Sequence, residues 1–364
     1  MNMLDYLRWR GDVPFSACGL NEVDNLIFSA LAYLDMDGLA SAGNTQTVAF
    51  LCEAYFGAHR DRKEASAERP ALLKAAAESP RFRGVEVCRY VNEVDAEKQL
   101  QFSAVTFRYR GAEAYIAFRG TDQTLVGWRE DFNMSFLRET PGQSAAVAYV
   151  DEIAAAIPGR LTLGGHSKGG NFAVYAAAFC SPAASARIDR VYSNDGPGFR
   201  REITNDPRYL AILPKTEKII PESSLVGILL SGKEARRIVK SSAKGVMQHN
   251  PFTWCVLGPA FEEAGERTRS SVFMDDTLSK WVASLSDEDL RTMFDVIFDS
   301  LDASGVTTLK DLQSNPLATY TALFKAISRV DGRGEILSSL QKLFGSGMST
   351  VKENLLPGRN EKSN

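Results

Sequence analysis

LTLGGHSKGGNFAVYAAAFC, residues 161–180, joins a short β-prone run, a cluster of glycines around one serine, and a helix-prone run that is apolar almost all round. Within it, Gly165-His166-Ser167-Lys168-Gly169 fits G-x-S-x-G. A serine at a tight strand-to-helix turn sits in strained backbone and requires small residues two positions before and two after it. Its hydroxyl then projects above a sheet at a helix N-terminus, where N–H groups and the dipole stabilise developing negative charge. The following run, NFAVYAAAFC, has the all-round apolarity of a central buried helix. The competing reading is a glycine-rich structural turn. The choice between them depends on whether the rest of the chain supplies a base, an acid and an oxyanion hole.

On either side of this stretch the chain alternates between strand and helix patterns. FSAVTFRYRGAEAYIAF, from residue 102, reads as two β-rich runs around a turn at RGAE, hence a hairpin. SAAVAYVDEIAAAIPG reads as a helix, RIDRVYSND as a strand, and EKIIPESSLVGILL contains another strand. GVMQHNPFTWCVL reads as a late strand or loop. Strands alternating with helices predict an α/β fold whose mostly parallel central sheet is covered on both faces. The first hundred residues read as mainly helical: NEVDNLIFSALAYLDMDG offers Asp24 as a cap, and TQTVAFLCEAYFG and RPALLKAAAE continue the pattern. After about residue 270 strand signals stop. Leu278, Trp281, Val282, Leu285, Leu290, Met293, Phe294 and Ile297 recur at helical intervals, and TLKDLQSN, LATYTALFKAISRV and EILSSLQKLFGSGM follow. The expected organisation is an α/β domain over residues 1–270 with a helical N-terminal segment, a helical C-terminal region or cap over 271–350, and a frayed polar tail over 351–364.

The chain has only three histidines. His166 adjoins the serine, where an elbow aims its side chain away from Oγ, so it reads as a packing residue. His59, in FGAHRDRKE, reads as a solvated surface residue. His249, in MQHNPFTWC, follows the last predicted strand; on a sheet of this kind the order is serine, acid, histidine, with the histidine on a late loop. His249 is therefore the candidate base. Two acids at strand ends lie between them: Asp195, after RVYSN and before GPGF, and Glu222, after KIIP. Either carboxylate can orient an imidazole and stabilise its charged form. Order and strand-end placement favour Asp195 and leave Glu222 open. One oxyanion donor is expected to be the backbone N–H of Lys168; the other comes from the loop after AYIAF, Arg119-Gly120-Thr121-Asp122, where Thr121 offers a main-chain N–H and a hydroxyl. Arg119 is expected to buttress this loop through a carboxylate such as Asp131.

Composition narrows the classes. The 364 residues carry a net charge of −3 with both signs interspersed, so no basic face for nucleic acid is implied. Five scattered cysteines (Cys18, Cys52, Cys88, Cys180, Cys255) show no paired spacing and read as reduced thiols rather than a zinc site or disulfide framework. GGHSKGG lacks the glycine gap and G-K-[S/T] ending of a P-loop. No cofactor or metal is implied. The N-terminus MNMLDYLRWRGDVPF lacks the apolar core of a signal peptide, and no segment approaches the roughly eighteen uninterrupted apolar residues of a membrane span. A cytoplasmic location is expected.

AYIAFRGTDQTLVGWREDF together with LTLGGHSKGGNFAVYAA resembles the class 3 lipases, α/β hydrolases that include the fungal triacylglycerol lipases. That family has F-R-G-T/S, then a tryptophan and an aspartate, then G-H-S-x-G-G. The series GHSKGGN, NDGPGF, IIPESSLVG and HNPFTW is similar to a bacterial branch with a lipase-like fold. The resemblance covers roughly residues 20–260. It implies an α/β-hydrolase fold, with Ser167 as nucleophile, His249 as general base, and Thr121 with Lys168 forming the oxyanion hole. Two departures stand out. The family's triad aspartate lies in a D-x-V-P-like stretch, and the matching PESSLVG has none, with Glu222 the nearest acid. The position after the serine is usually apolar and here is Lys168, a cation that opposes the helix dipole; a contact with an anionic substrate group or a nearby carboxylate is the expected compensation. The implied activity is hydrolysis of carboxylic esters, lipid or acylglycerol esters among them, with transient contact at a membrane surface for a lipid substrate. The same machinery serves an amidase, thioesterase or acyltransferase, and a non-catalytic hydrolase-like binding scaffold is the reading from another class.

Overall fold

The computed structural model describes residues 1–40, 43–59, 67–122, 124–230, 232–283, 285–303 and 308. Eight strands lie side by side in chain order: β1 (Gln46–Thr47), β2 (Glu86–Asp95), β3 (Leu100–Arg110), β4 (Glu113–Phe118), β5 (Leu161–His166), β6 (Ile188–Asn194), β7 (Thr216–Pro221) and β8 (Ala235–Val239). β1 to β4 pair antiparallel, and β4 to β8 pair parallel. The hairpin around RGAE is β3–β4. A separate small hairpin joins β9 (Val256–Leu257) to β10 (Ala260–Phe261).

The pleat distributes side chains to two cores. On one face Phe102, Ala104, Ile116, Phe118, Leu161 and Leu163 meet α6 (Pro141–Ala156) and α7 (Lys168–Phe179). On the other, Val105, Phe107, Tyr115, Ala117 and Tyr192 meet α1 (Met3–Arg10), α2 (Glu22–Leu31), α3 (Val48–Ala58) and α4 (Glu68–Glu78). Every residue of β5 is buried, which is why LTLGGH shows no polar alternation. α5 (Leu125–Asn133) follows β4. Short helices α8 (Pro182–Ser185), α9 (Arg201–Thr204) and α10 (Pro207–Ile212) connect the later strands.

Two expectations need correction. The sheet begins before residue 102: β2 was hidden because VEVCRYVNEVD carries charges at its exposed end and a bulge between Cys88 and Val91 breaks its alternation. β8, ARRIV, is a short, charged edge strand, the usual form of a protected edge. The cap of α2 is Asn21, not Asp24. Asp24 is the third helical residue of a capping box, and its carboxylate takes two bonds from buried Arg81, Nε at 2.8 Å and Nη2 at 2.5 Å. The late stretch GVMQHNPFTWCVL holds both a loop and a strand, as expected: two 3₁₀ turns, Gly245–His249 and Pro251–Thr253, lead into β9 at its last two residues.

The chain divides into two compact units, residues 1–280 and 281–364. α11 (Arg269–Ala283) crosses that boundary, and α12 (Asp287–Ala303) lies in the second unit, where Leu290, Met293, Phe294, Phe298 and Leu301 are its buried side. TLKDLQSN falls outside the described residues except for Thr308, and LATYTALFKAISRV, EILSSLQKLFGSGM and the tail fall outside them entirely.

Candidate active site

Ser167 stands between β5 and α7 with φ 59° and ψ −132°, a conformation that non-glycine residues hold only when the surroundings impose it. The surroundings here are close. A Cβ added at Gly169 would fall 2.1 Å from the carbonyl oxygen of Phe118, so only glycine lets α7 approach β4. The Ser167 N–H donates to the Asn194 carbonyl at 2.9 Å. Asn194 itself is held by a reciprocal amide pair with Asn25 of α2 (2.9 and 3.0 Å), and its Nδ2 also reaches the Gly165 carbonyl at 3.1 Å. A fully buried helix from the N-terminal segment thus braces the strand end that carries the serine.

His249 ends its 3₁₀ turn with Nδ1 2.7 Å from Asp195 Oδ2. A carboxylate oxygen can only accept, so Nδ1 donates and Nε2 is left as the basic nitrogen. Asp195 is fully buried, and its φ of 49° swings the side chain off the end of β6 toward the histidine. Oδ1 accepts from the Ser224 hydroxyl at 2.5 Å and the Gly227 N–H at 3.1 Å. Glu222 lies on the same connection, where its main chain bonds Val239 and Thr268; the acid brought to His249 is Asp195. The histidine loop is fixed by Gln248, whose Oε1 receives the Ser223 N–H at 2.8 Å and whose carbonyl receives the indole of buried Trp254 at 2.9 Å.

His166 is buried, and its Nε2–H donates to the His249 carbonyl at 2.8 Å; its Nδ1 faces the Tyr33 hydroxyl at 3.1 Å. The two imidazole rings lie 4.5 Å apart. Burial, reinforced by the neighbouring His249, pulls the His166 pKa well below the usual value, so the ring is neutral, and burial pushes Tyr33 up to about 12. His59 differs from the expected solvated residue. It ends α3 half-buried, stacked on Tyr55 at 4.4 Å with Nδ1 on the Tyr55 carbonyl at 2.9 Å.

The loop after β4 passes directly beside the serine: a Cβ on Gly120 would come within 3.0 Å of Ser167 Cβ. The Thr121 hydroxyl donates to Asp131 Oδ2 at 2.5 Å, which commits its proton and leaves the main-chain N–H of Thr121 for a ligand. Burial pushes the Asp131 carboxyl up to about 6, against the Lys168 ammonium and the Thr121 hydroxyl. Arg119 does not meet Asp131; its Nη2 bonds Asn92 at 2.9 Å and lies 3.7 Å from Asp122, because Asp131 is turned to Thr121. Lys168 is fully buried with Nζ 2.9 Å from Glu130 Oε2, so the nearby carboxylate, and not a substrate group, is its partner.

Glu130, Ser224 and Asn194 complete the site without having been singled out from the sequence. Glu130 sat in the charged run WREDF and Ser224 two residues past Glu222; neither has a motif of its own. Among the described residues no group of three or more His, Cys, Asp or Glu is placed to hold a metal.

The mixed sheet in sequential order, the strained serine after its fifth strand and the Asp–His pair at the carboxyl edge define an α/β-hydrolase fold of the class 3 lipase kind. The chain belongs to the Mbeg1-like family, whose profile matches residues 76–299. No curated protein matches its sequence. Among solved structures it is similar to M37 lipase, with 13% identity and a TM-score of 0.34 over 56% of this chain and 68% of that one. It is similar to a triacylglycerol lipase whose catalytic centre is described as a serine protease triad, with 14% identity, TM-score 0.38, 60% and 78%. A Rhizomucor miehei lipase propeptide complex gives 14%, 0.37, 66% and 81%. No described helix is long and apolar enough to cross a membrane.

Proposed function

We propose that the protein is a serine hydrolase that cleaves carboxylic esters, lipid and acylglycerol esters among them, through an acyl-enzyme. The observation that carries this reading is the 2.7 Å contact between His249 Nδ1 and the buried carboxylate of Asp195, at the same sheet edge as the strained Ser167. In this scheme His249 Nε2 takes the Ser167 proton as Oγ attacks the ester carbonyl carbon. The main-chain N–H groups of Lys168 and Thr121 receive the oxyanion, each such donor being worth about 10²–10³ in rate. Asp195 stabilises the imidazolium, which then protonates the leaving alkoxide. Water, deprotonated by His249, releases the acid and restores Ser167. Val246 and Met247, exposed in the same turn as His249, offer apolar surface to a lipid substrate or its membrane. Five unpaired thiols fit a reducing, cytoplasmic compartment.

Turnover of p-nitrophenyl esters of graded acyl length tests the reading. Hydrolysis with a chain-length optimum, abolished in Ser167→Ala, is expected. A folded protein that hydrolyses none of them, or a Ser167→Ala variant as active as wild type, contradicts it.

A further inference from the structure

The residue after the serine carries a side chain that the chemistry above does not use. Lys168 is the first residue of α7, so its main-chain N–H has no partner inside the helix and is one of the two proposed oxyanion donors. Its side chain turns the other way and is fully buried, as is that of Glu130. Nζ donates to Glu130 Oε2 at 2.9 Å, approaches the Gly127 carbonyl at 3.5 Å and lies 5.6 Å from the ring centre of Phe172. Glu130 is itself a junction. Oε1 accepts the Gly142 N–H from the first turn of α6 at 2.6 Å, and Oε2 also accepts the Gln101 N–H at the start of β3 at 3.1 Å. Its helix, α5, directly continues the loop that carries Thr121. One buried carboxylate therefore ties together the elbow, the oxyanion loop, a strand and a second helix.

Stability alone is a poor explanation for this arrangement. A buried ion pair often gains little over apolar residues of the same volume, and a cation in the first turn of a helix opposes the dipole. What two charges in a dry, low-dielectric site do provide is one enforced geometry. We propose that Lys168 and Glu130 are positioning residues, a strut that sets the separation between the serine elbow and the oxyanion loop so that the N–H groups of Lys168 and Thr121 converge on one oxygen. Neither side chain touches substrate. This inference rests on the serine-hydrolase reading.

The test compares wild type with Lys168→Met, Glu130→Gln, the double variant Lys168→Met/Glu130→Leu, and Glu130→Asp. Denaturant midpoints, kcat and KM on one reactive p-nitrophenyl ester, and the rate of fluorophosphonate labelling are measured. Each single neutralisation leaves an unpaired buried charge and is expected to lower the midpoint strongly, whereas the apolar double variant recovers it. Under the proposal, the double variant keeps KM within about threefold of wild type while kcat and labelling fall about 10–100-fold, since donor misplacement costs rate rather than binding. Glu130→Asp keeps both charges and shortens the strut, and it is expected to show the same split even if the double variant fails to fold. A stable double variant with wild-type kcat, or Glu130→Asp with wild-type kcat, overturns the strut. Folded wild type that is neither labelled nor active overturns the hydrolase reading and the strut together.

Discussion

Replacing Asp131 by Asn is predicted to stabilise the protein near neutral pH and to leave it no more stable in acid. Burial raises the Asp131 carboxyl from its ordinary 3.8 to about 6. With a folded value above the unfolded one, the native state binds more protons than the unfolded chain between about pH 4 and pH 6. Stability from this group is therefore present below about pH 4, declines as pH rises through that window and stays reduced above it. A difference of about 2 pKa units is worth about 3 kcal/mol; because the residue retains some exposed surface, about 2 kcal/mol is the working figure. Asn resembles the protonated acid, keeps an oxygen to accept the Thr121 hydroxyl, and does not titrate. The assay is urea unfolding of both proteins at steps from about pH 4 to about pH 7.5. The stability of the Asn variant relative to wild type should rise by about 2 kcal/mol across this range and level off above pH 6. A difference that is flat with pH would refute the argument that an ionised, desolvated carboxylate sits beside the oxyanion loop.

Other consequences are equally direct. Asp195→Asn should lower kcat about 10⁴-fold through loss of the histidine tautomer, while Glu222→Ala should leave it near wild type; the reverse pattern in ester hydrolysis would transfer the acid's role to Glu222. Neutral, buried His166 has a folded pKa well below 6.5, so the unfolded chain binds the extra proton as pH falls below about 6.5, and stability drops by up to about 1.4 kcal/mol per pH unit in that window. His166→Asn should flatten that part of the stability profile, and an unchanged slope would count against a neutral His166. Gly169→Ala, with its Cβ 2.1 Å from the Phe118 carbonyl oxygen, should destabilise by more than about 3 kcal/mol in denaturant unfolding; a variant of wild-type stability would mean that α7 is free to shift.

The parts of the site that could be read from sequence are those made by neighbouring residues. The elbow is local: glycines, a serine, a buried strand before it and a buried helix after it all lie within residues 161–180. The sequence favours Asp195 over Glu222 without closing the choice, because both end strands. The choice turns on the left-handed backbone of Asp195 and on the way residues 224–227 fold back to give its carboxylate a hydroxyl and an N–H, neither of which has a sequence pattern. Glu130 stands in the charged run WREDF with no motif of its own, and only the approach of α5 to α7 makes it a buried partner for Lys168. His59 read as solvated because its neighbours are charged, yet the turn that closes α3 lays it on Tyr55.

The central claim is that Ser167 is a nucleophile activated by His249. Fluorophosphonate labelling followed by peptide mapping tests it most directly, on wild type, Ser167→Ala and His249→Ala, each first shown to be folded. The account predicts one adduct per chain on the peptide containing Ser167, none in Ser167→Ala, and labelling slowed by about 10³-fold or more in His249→Ala. No adduct on the folded wild type, or an adduct that persists in Ser167→Ala, would contradict it.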